Sequence, residues 1–218
     1  MKGYDYAQGG VYFVTICTQG RENLFGEIKG GEMRLSGIGE VVKSEWLKTP
    51  EMRPNVTLDE WIIMPNHIHG IITIDDGRGT LPRASVEGKG NTGTQVIKKG
   101  TQQRARAEGK GDTATPPQGH VQRAPTVERF GKPVSNSIPT IVRMFKSSTT
   151  KKINEMRGLP YSPVWQRNYY EHIIRNEGAM NKIREYIAGN PARWGFDREN
   201  PGGASDAVEK DFWEKVRV

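Results

Sequence analysis

Two histidines separated by a single residue are the clearest candidates for chemistry in this chain. His67 and His69 lie between two short apolar runs rich in β-branched residues, 61–64 and 71–74. Such runs predict two strands with a bend between them. Because side chains alternate across a strand, both imidazoles then project from one face. On this stretch alone, half of a metal site and two structural histidines are equally good interpretations, with no preference for the metal.

Tyr186 and Asn190 form a second candidate pair. Asn176 is a suitable N-cap, and the apolar spacing after it predicts a helix over 177–189 that ends before Pro191. Residues four apart share a helix face, so Tyr186 and Asn190 point the same way if the last turn includes Asn190. An aromatic residue near a helix end is ordinarily part of the core or its rim, so this position alone indicates no function.

The remaining pattern predicts the elements that must position these residues. Gly70, beside the histidines, is expected to leave room for a close approach to the backbone. Met156 is expected to end the buried stripe of a long helix that begins after Ser137. In order, the predicted strands are 11–18, 24–28, 32–35, 56–64, 67–75 and 164–175, and the helices are 37–48, 138–157 and 177–189.

Residues 76–136 differ from the rest of the chain. They contain ten glycines and isolated apolar residues with neither helical nor strand period, which predicts a low-complexity, mostly disordered insertion. They also hold 11 of the 32 basic and 5 of the 25 acidic residues, which leaves 21 basic and 20 acidic residues elsewhere. The net charge of +7 therefore belongs mainly to the insertion. A solvated linker and a nonspecific phosphate contact are both open for it.

The composition also indicates the cellular compartment. The single cysteine, Cys17, excludes an internal disulfide and a cysteine-based zinc site. Residues 1–10 lack the apolar core of a signal peptide, and no apolar run approaches the length of a membrane span. We therefore expect a cytoplasmic protein without a membrane partner.

A set of basic and aromatic residues suits contact with a nucleic acid. Basic groups and hydroxyls share one side of the helix predicted over 138–157, where they suit phosphates, although a solvated helix face is the more common explanation for such a set. Trp165, in the strand predicted over 164–175, can stack on a base or fill the core. The DNA-binding candidates are Arg143, Lys146, Lys151, Trp165, Gln166 and Arg167.

Three stretches, read together, resemble the single-tyrosine HUH transposases, and most closely the REP-associated tyrosine transposases of bacteria. They are GGVYFVT at 9–15, MPNHIHG at 64–70, and VWQRNYYEH at 164–172 followed by REYIAGNP at 184–191. The histidine motif is weak by itself, whereas the three in this order are specific. The similarity covers about 4–75 and 137–195 and does not extend over the insertion or beyond Trp194.

The resemblance implies a role for four residues. The metal-binding histidines of the family fall on His67 and His69, its nucleophilic tyrosine on Tyr186 and its third metal ligand on Asn190. Such a ligand set suits Mg²⁺ or Mn²⁺, with Mn²⁺ the easier fit to two imidazoles, and zinc stays open. Tyr169 and Tyr170 are the rival nucleophiles, and His172 is more simply structural.

The resemblance also implies the fold and the activity. The expected fold is α+β, a central antiparallel sheet with packed helices similar to a ferredoxin-like or RNA-recognition palm. Residues 1–75 and 137–195 are then two parts of one domain, separated by the insertion 76–136 and followed by a tail, 196–218. The expected activity is cleavage and joining of single-stranded DNA beside hairpins such as REP palindromes, by a bacterial protein that is nucleoid-associated when bound.

Two other functions compete with this one. A catalytically lapsed, domesticated protein would bind hairpin DNA without cleaving it. A zinc hydrolase built on His67 and His69 would need further ligands, and Asp75 and Asp76 are too far along the strand to supply them. Both a monomer and a homodimer fit the resemblance.

Overall fold

The computed structural model describes residues 9–77, 136–204 and 211–214. The predicted insertion lies almost entirely outside these ranges. The strands are β1 (Gly10–Cys17), β2 (Gly26–Lys29), β3 (Glu32–Leu35), β4 (Val56–Ile63), β5 (His67–Ile74) and β6 (Tyr170–Ile174). The α-helices are α1 (Gly37–Leu47), α2 (Thr49–Met52), α3 (Ile138–Arg157) and α4 (Glu177–Gly189). The 3₁₀ helices are Gln19–Arg21 and Pro191–Phe196, and residues 211–214 are also helical.

The central sheet has four strands in the order β4-β5-β1-β6, and every neighbouring pair is antiparallel. Strands β2 and β3 form a separate hairpin. The predicted α+β class with a central antiparallel sheet and packed helices is therefore confirmed. None of the helices within the described ranges is long and apolar enough to span a membrane.

Helices cover both faces of the sheet, so the central strand β1 is buried on each side. Tyr12, Val14 and Ile16 belong to the cluster that packs under α1 and α3. Val11 and Phe13 point to the other face, where the apolar residues of α4 pack. This alternation follows from the two-residue period of a strand.

The helix termini follow the local sequence. Ser36 accepts a hydrogen bond from the Gly39 amide at the start of α1, and Asn176 accepts one from the Ala179 amide at the start of α4. Both bonds satisfy an amide that has no partner within the helix. The last turn of α4 keeps helical dihedral angles through Asn190, so Asn190 continues the helix geometry that begins before Tyr186.

Two irregularities in the sheet matter for the site. Strand β4 has one extra residue between Leu58 and Trp61, which pair with Ile72 and Gly70, a β-bulge. On the other side, Trp165 bridges Thr18, while Tyr170 pairs with Thr15. The five residue steps from Trp165 to Tyr170 therefore lie opposite only three steps on β1, from Thr18 to Thr15. The residues between Trp165 and Tyr170 consequently bulge out of the ladder.

Two sequence predictions need correction, and a third is confirmed. The strand predicted over 164–175 is regular only at Tyr170–Ile174, because the bulge interrupts the ladder. Met156 is 56% exposed, although it lies on the buried side of α3, because the last turn extends beyond the core. A Cβ on Gly70 would lie 2.5 Å from Trp46 Cζ2. The expected close approach to the Gly70 backbone is therefore confirmed, and the Trp46 ring makes it on the face away from the histidines.

Candidate functional site

The two histidines lie side by side on the face of the sheet that α4 covers. His67 pairs with Cys17 and His69 with Thr15 across the β1–β5 ladder. Both imidazoles are completely buried, and their Nε2 atoms are 3.0 Å apart. The expected projection of both side chains from one face is confirmed by this arrangement.

The outer nitrogens of the imidazoles are held by different side chains. Asn66 Oδ1 lies 2.8 Å from His67 Nδ1, and Thr15 Oγ1 lies 2.9 Å from His69 Nδ1. Such outer partners orient the ring and raise its basicity in metal sites. The Nε2 atoms consequently face each other and the interior of the cluster.

Two oxygen-bearing side chains complete this cluster. Asp197 Oδ2 is 3.8 Å from His67 Nε2, and Asn190 hydrogen-bonds to the Asp197 side chain. Both side chains are buried, and among the described residues Asn190 Oδ1 and Asp197 Oδ2 have no hydrogen-bond partner. An unpaired buried oxygen costs free energy unless something else satisfies it.

Burial sets the protonation of these groups. It lowers the pKa of His67 to about 3, with Glu199 opposing the shift, and it lowers the pKa of His69 well below its ordinary value. Both imidazoles are therefore neutral near pH 7, the state in which a nitrogen can bind a metal ion. Burial also raises the pKa of Asp197. A nearby cation would offset that effect by stabilising the carboxylate.

This donor set fits a divalent metal ion. Ligand atoms of His67, His69 and Asp197 all lie within 4.8 Å of one another. The two unpaired oxygens supply acceptors that a cation would satisfy, and imidazole with carboxylate suits first-row divalent ions. Cys17 is the partner of His67 across the β1–β5 ladder. Burial, together with Glu199, raises the pKa of its thiol to about 12, so it is not a thiolate ligand.

Tyr186 lies directly beside this cluster. Its ring centroid is 5.4 Å from that of His69, and it is half-buried on α4. Phe212 stacks on the tyrosine at 5.0 Å, while Trp213 meets it edge-on at 5.2 Å. Asn190, one helical turn further on, shares a narrow cleft with Tyr186 and Asp197. The structure thus brings together Tyr186, His67, His69 and Asn190.

The rival tyrosines lie elsewhere. Tyr170 faces the same side of the sheet as the histidines, but β1 separates its strand from β5. Its ring contacts Phe13 and Trp213. Tyr169 points to the opposite side, where Lys146 Nζ lies 5.6 Å from its ring centroid. His172 also contacts Trp213 and lies outside the histidine cluster.

The DNA-binding candidates are on the other face of the sheet, around α3. Five of them line one open groove of about 870 Å³ between α3 and the segment after it. Arg143 is exposed on α3 and is not among the lining residues. The lining candidates are Lys146, Lys151, Trp165, Gln166 and Arg167.

Two of these candidates have structural partners. Lys146 Nζ donates to the carbonyl oxygens of Gln166 and Asn168, each at 2.9 Å, and so holds the bulge. Burial lowers the pKa of this amine to about 8. Trp165 is 7% exposed, and its Nε1 donates to Thr149 Oγ1. Lys151 and Arg167 are exposed.

Sequence reasoning missed Asp197 and Glu199, which it assigned to the tail. Glu199 accepts ion pairs from Arg21 and Arg198, and its backbone carbonyl accepts from Asn66 Nδ2. The sequence offers only a partial signal, an alternating Asp-Arg-Glu run at 197–199, shortly after Pro191. Nothing in its local pattern shows which side chains turn inward.

Comparisons with known proteins give the family context. No protein-family model matches the chain. An uncharacterized protein of Haemophilus influenzae is 37% identical over 198 residues, which cover 91% of this chain and 89% of that protein. The chain belongs to the same family as this Haemophilus protein.

Among solved structures, the chain is similar to a REP-associated tyrosine transposase bound to a REP hairpin. The TM-score is 0.46 at 18% identity, and the match covers 91% of this chain and 77% of the other.

Proposed function

We propose that this protein is a metal-dependent single-stranded DNA endonuclease and strand transferase that cleaves beside DNA hairpins. One observation carries the proposal. Tyr186 lies beside the buried histidine cluster, with its ring centroid 5.4 Å from that of His69, and Asn190 is one helical turn further along α4. Together with His67, these are the four positions at which the sequence resembles a tyrosine transposase.

The chemistry follows from the side chains. The Tyr186 phenol loses its proton, its oxygen bonds to the phosphorus of a phosphodiester, and the bond from phosphorus to the 3′ oxygen breaks. The 3′ oxygen takes up a proton, and the 5′ phosphate stays on the tyrosine. Because this phosphotyrosine ester keeps the bond energy, a 3′-hydroxyl can attack it in reverse and join strands.

A metal ion explains why a tyrosine can act near neutral pH. A phenol with a pKa of about 10 is a weak nucleophile at pH 7. A divalent ion held by His67, His69 and Asn190, with Asp197 as a further candidate ligand, would polarise the scissile phosphate. Oxygen ligands suit Mg²⁺ or Mn²⁺, and the imidazoles favour Mn²⁺.

The groove on the α3 face is proposed as a separate DNA contact. Its exposed Lys151 and Arg167 suit phosphate oxygens, which position a nucleic acid without reading its sequence. The buried Trp165 supports the groove wall, and Lys146 supports the bulge. DNA that occupies both faces would pass around the sheet, with its hairpin and its scissile phosphate on different sides.

The proposal also includes the domain organisation, the DNA partner and the cellular location of the protein. We place the sheet, its helices and residues 197–199 in one catalytic domain, interrupted by the insertion 76–136. The partner is single-stranded DNA with REP-like hairpins, bound by a monomer or a homodimer at the bacterial nucleoid.

The test is a covalent trapping assay. Purified protein is incubated with labelled single-stranded hairpin oligonucleotides from the flanks of its own gene, with Mn²⁺, Mg²⁺ or EDTA, and separated on a denaturing gel. We expect a metal-dependent protein–DNA adduct that disappears in Tyr186→Phe and persists in the matched Tyr170→Phe variant. An undiminished adduct in Tyr186→Phe contradicts the nucleophile. Tight binding without an adduct under any metal identifies the binding-only alternative.

A further inference from the structure

The two histidines have outer partners of different chemical character. Asn66 Nδ2 donates to the backbone carbonyls of Arg21 and Glu199, at 3.1 and 2.7 Å. These two bonds fix the orientation of the amide, because the opposite flip would place its oxygen against two carbonyl oxygens. Asn66 Oδ1 therefore faces His67 Nδ1 at 2.8 Å. Since that oxygen only accepts, the proton of His67 is on Nδ1 and its Nε2 has a lone pair.

His69 has an ambivalent partner. Thr15 Oγ1, at 2.9 Å from His69 Nδ1, is a hydroxyl and can either donate or accept. Both imidazoles are neutral because they are buried, and a bond between their Nε2 atoms at 3.0 Å requires one proton between them. His67 Nε2 has none, so His69 Nε2 donates. His69 Nδ1 then accepts from the Thr15 hydroxyl.

This arrangement has one consequence for metal binding. A metal ion needs a lone pair on both Nε2 atoms. His67 already presents one, whereas the Nε2 of His69 is protonated. His69 must therefore change tautomer: the proton lost from Nε2 is matched by a proton gained at Nδ1, and neither imidazole changes its charge. The Nδ1 proton then needs an acceptor in a completely buried place.

We propose that Thr15 is a positioning residue whose hydroxyl supports both tautomers of His69. It donates to His69 Nδ1 before the metal ion binds and, after rotation about the Cβ–Oγ1 bond, accepts from it afterwards. Asn66 holds His67 in the binding tautomer throughout. One ligand of the site is thus prepared in advance, and the other is kept ready by an exchangeable hydrogen bond. This inference rests on the metal-binding part of the proposed function.

Nitrogen-15 NMR of histidine-labelled full-length protein tests the proposal directly. Zn²⁺ serves as the diamagnetic probe, and two-bond couplings from the ring protons report the tautomers. We expect His69 to be protonated at Nε2 without metal and at Nδ1 with Zn²⁺, while His67 is protonated at Nδ1 in both states. A His69 that is protonated at Nδ1 in both states overturns the Thr15 role and leaves the metal site intact. A protein that does not bind Zn²⁺ or Mn²⁺ overturns both proposals.

Two substitutions separate the hydroxyl from simple packing. Thr15→Val keeps the shape of the side chain and removes the hydroxyl, whereas Thr15→Ser keeps the hydroxyl. Loss of an outer partner typically weakens metal binding by about 10-fold to 100-fold, so we expect that loss for Thr15→Val, measured by the electron paramagnetic resonance of free Mn²⁺. Thr15→Ser should stay within about threefold of the native affinity, well below that range. Equal losses in the two variants, with unchanged thermal unfolding, would contradict the hydrogen-bonding role.

Discussion

The two faces of the central sheet carry candidate sites of opposite character. On the α4 face, the polar groups of the histidine cluster are buried and each imidazole has a side-chain partner on its outer nitrogen. On the α3 face, the groove is open and its outermost cations are exposed. Buried, preorganised dipoles suit bond breaking, because their interactions are strong in a medium of low dielectric constant. Exposed charges are screened and suit reversible contact with a long polyanion.

The strongest test of this contrast is removal of one imidazole. His69→Gln should abolish Mn²⁺ binding, with a loss greater than the roughly 100-fold that removal of an outer partner can produce. DNA binding without metal should persist, because the groove is on the other face. Mn²⁺ titration and filter binding check the two halves of this expectation. His172→Gln is the matched control, and a similar metal loss in that variant would place the site elsewhere.

The ion pair that joins α4 to β4 gives a second test. Arg184 makes a bidentate ion pair with Asp59 at 2.6 and 2.7 Å, which ties the tyrosine helix to the bulge of β4. Arg184→Ala leaves the largely buried Asp59 carboxylate without its cation, although the Glu60 amide still donates to it, and should lower the free energy of unfolding by about 1–3 kcal/mol. We also expect slower adduct formation, with little change in groove binding.

Urea unfolding and single-turnover assays measure these effects. Lys182→Ala removes an exposed cation from the same helix and should change neither quantity. An Arg184→Ala variant with native adduct rates would show that the ion pair does not position Tyr186.

The groove can be weakened without touching the buried cluster. Lys151→Gln combined with Arg167→Gln should reduce DNA affinity, and the slope of log affinity against log salt should fall by about 0.7 for each phosphate of the single strand that the variant no longer neutralises. The adduct rate at saturating DNA should change little. Binding at several salt concentrations provides the measurement, and Arg175→Gln with Lys182→Gln removes equal charge elsewhere. If both pairs reduce binding equally, the groove has no special role.

The smallest expected effect is on stability against acid. Glu45 is buried between α1 and α3, and although burial opposes ionisation, hydrogen bonds from Lys152, Lys48 and Ser148 hold its pKa at about 2. Since the folded pKa lies below the ordinary 4.5, the ionised form stabilises the fold above about pH 4.5, and this contribution falls as pH drops toward 2.

Glu45→Gln should therefore flatten the pH dependence of unfolding over that interval. Urea unfolding from pH 2 to 7 measures it, with the exposed Glu40→Gln as control. Metal binding near pH 7 should be unaffected, because Glu45 stabilises the packing on the α3 face and the histidine cluster lies on the α4 face.

Much of the fold was predictable from local patterns. Runs of apolar and β-branched residues located β1, β4 and β5, and side-chain caps located the starts of α1 and α4. The bulge before β6 was not predictable, because Lys146, far along the chain on α3, donates to the carbonyls that leave the ladder. The exposure of Met156 depends on which parts of the fold cover the last turn of α3, and a helical period does not contain that information.

The sequence by itself determined that His67 and His69 share a strand face and that Tyr186 and Asn190 share a helix face, since strand and helix periods are properties of the local backbone. Tertiary structure decided that these two faces meet, that Asp197 joins them and that the basic groove lies on the opposite side. It also placed Thr15 and Asn66 on the two imidazoles. Contacts between residues distant in the chain depend on strand order and on the packing of α4, and no local period encodes either of them.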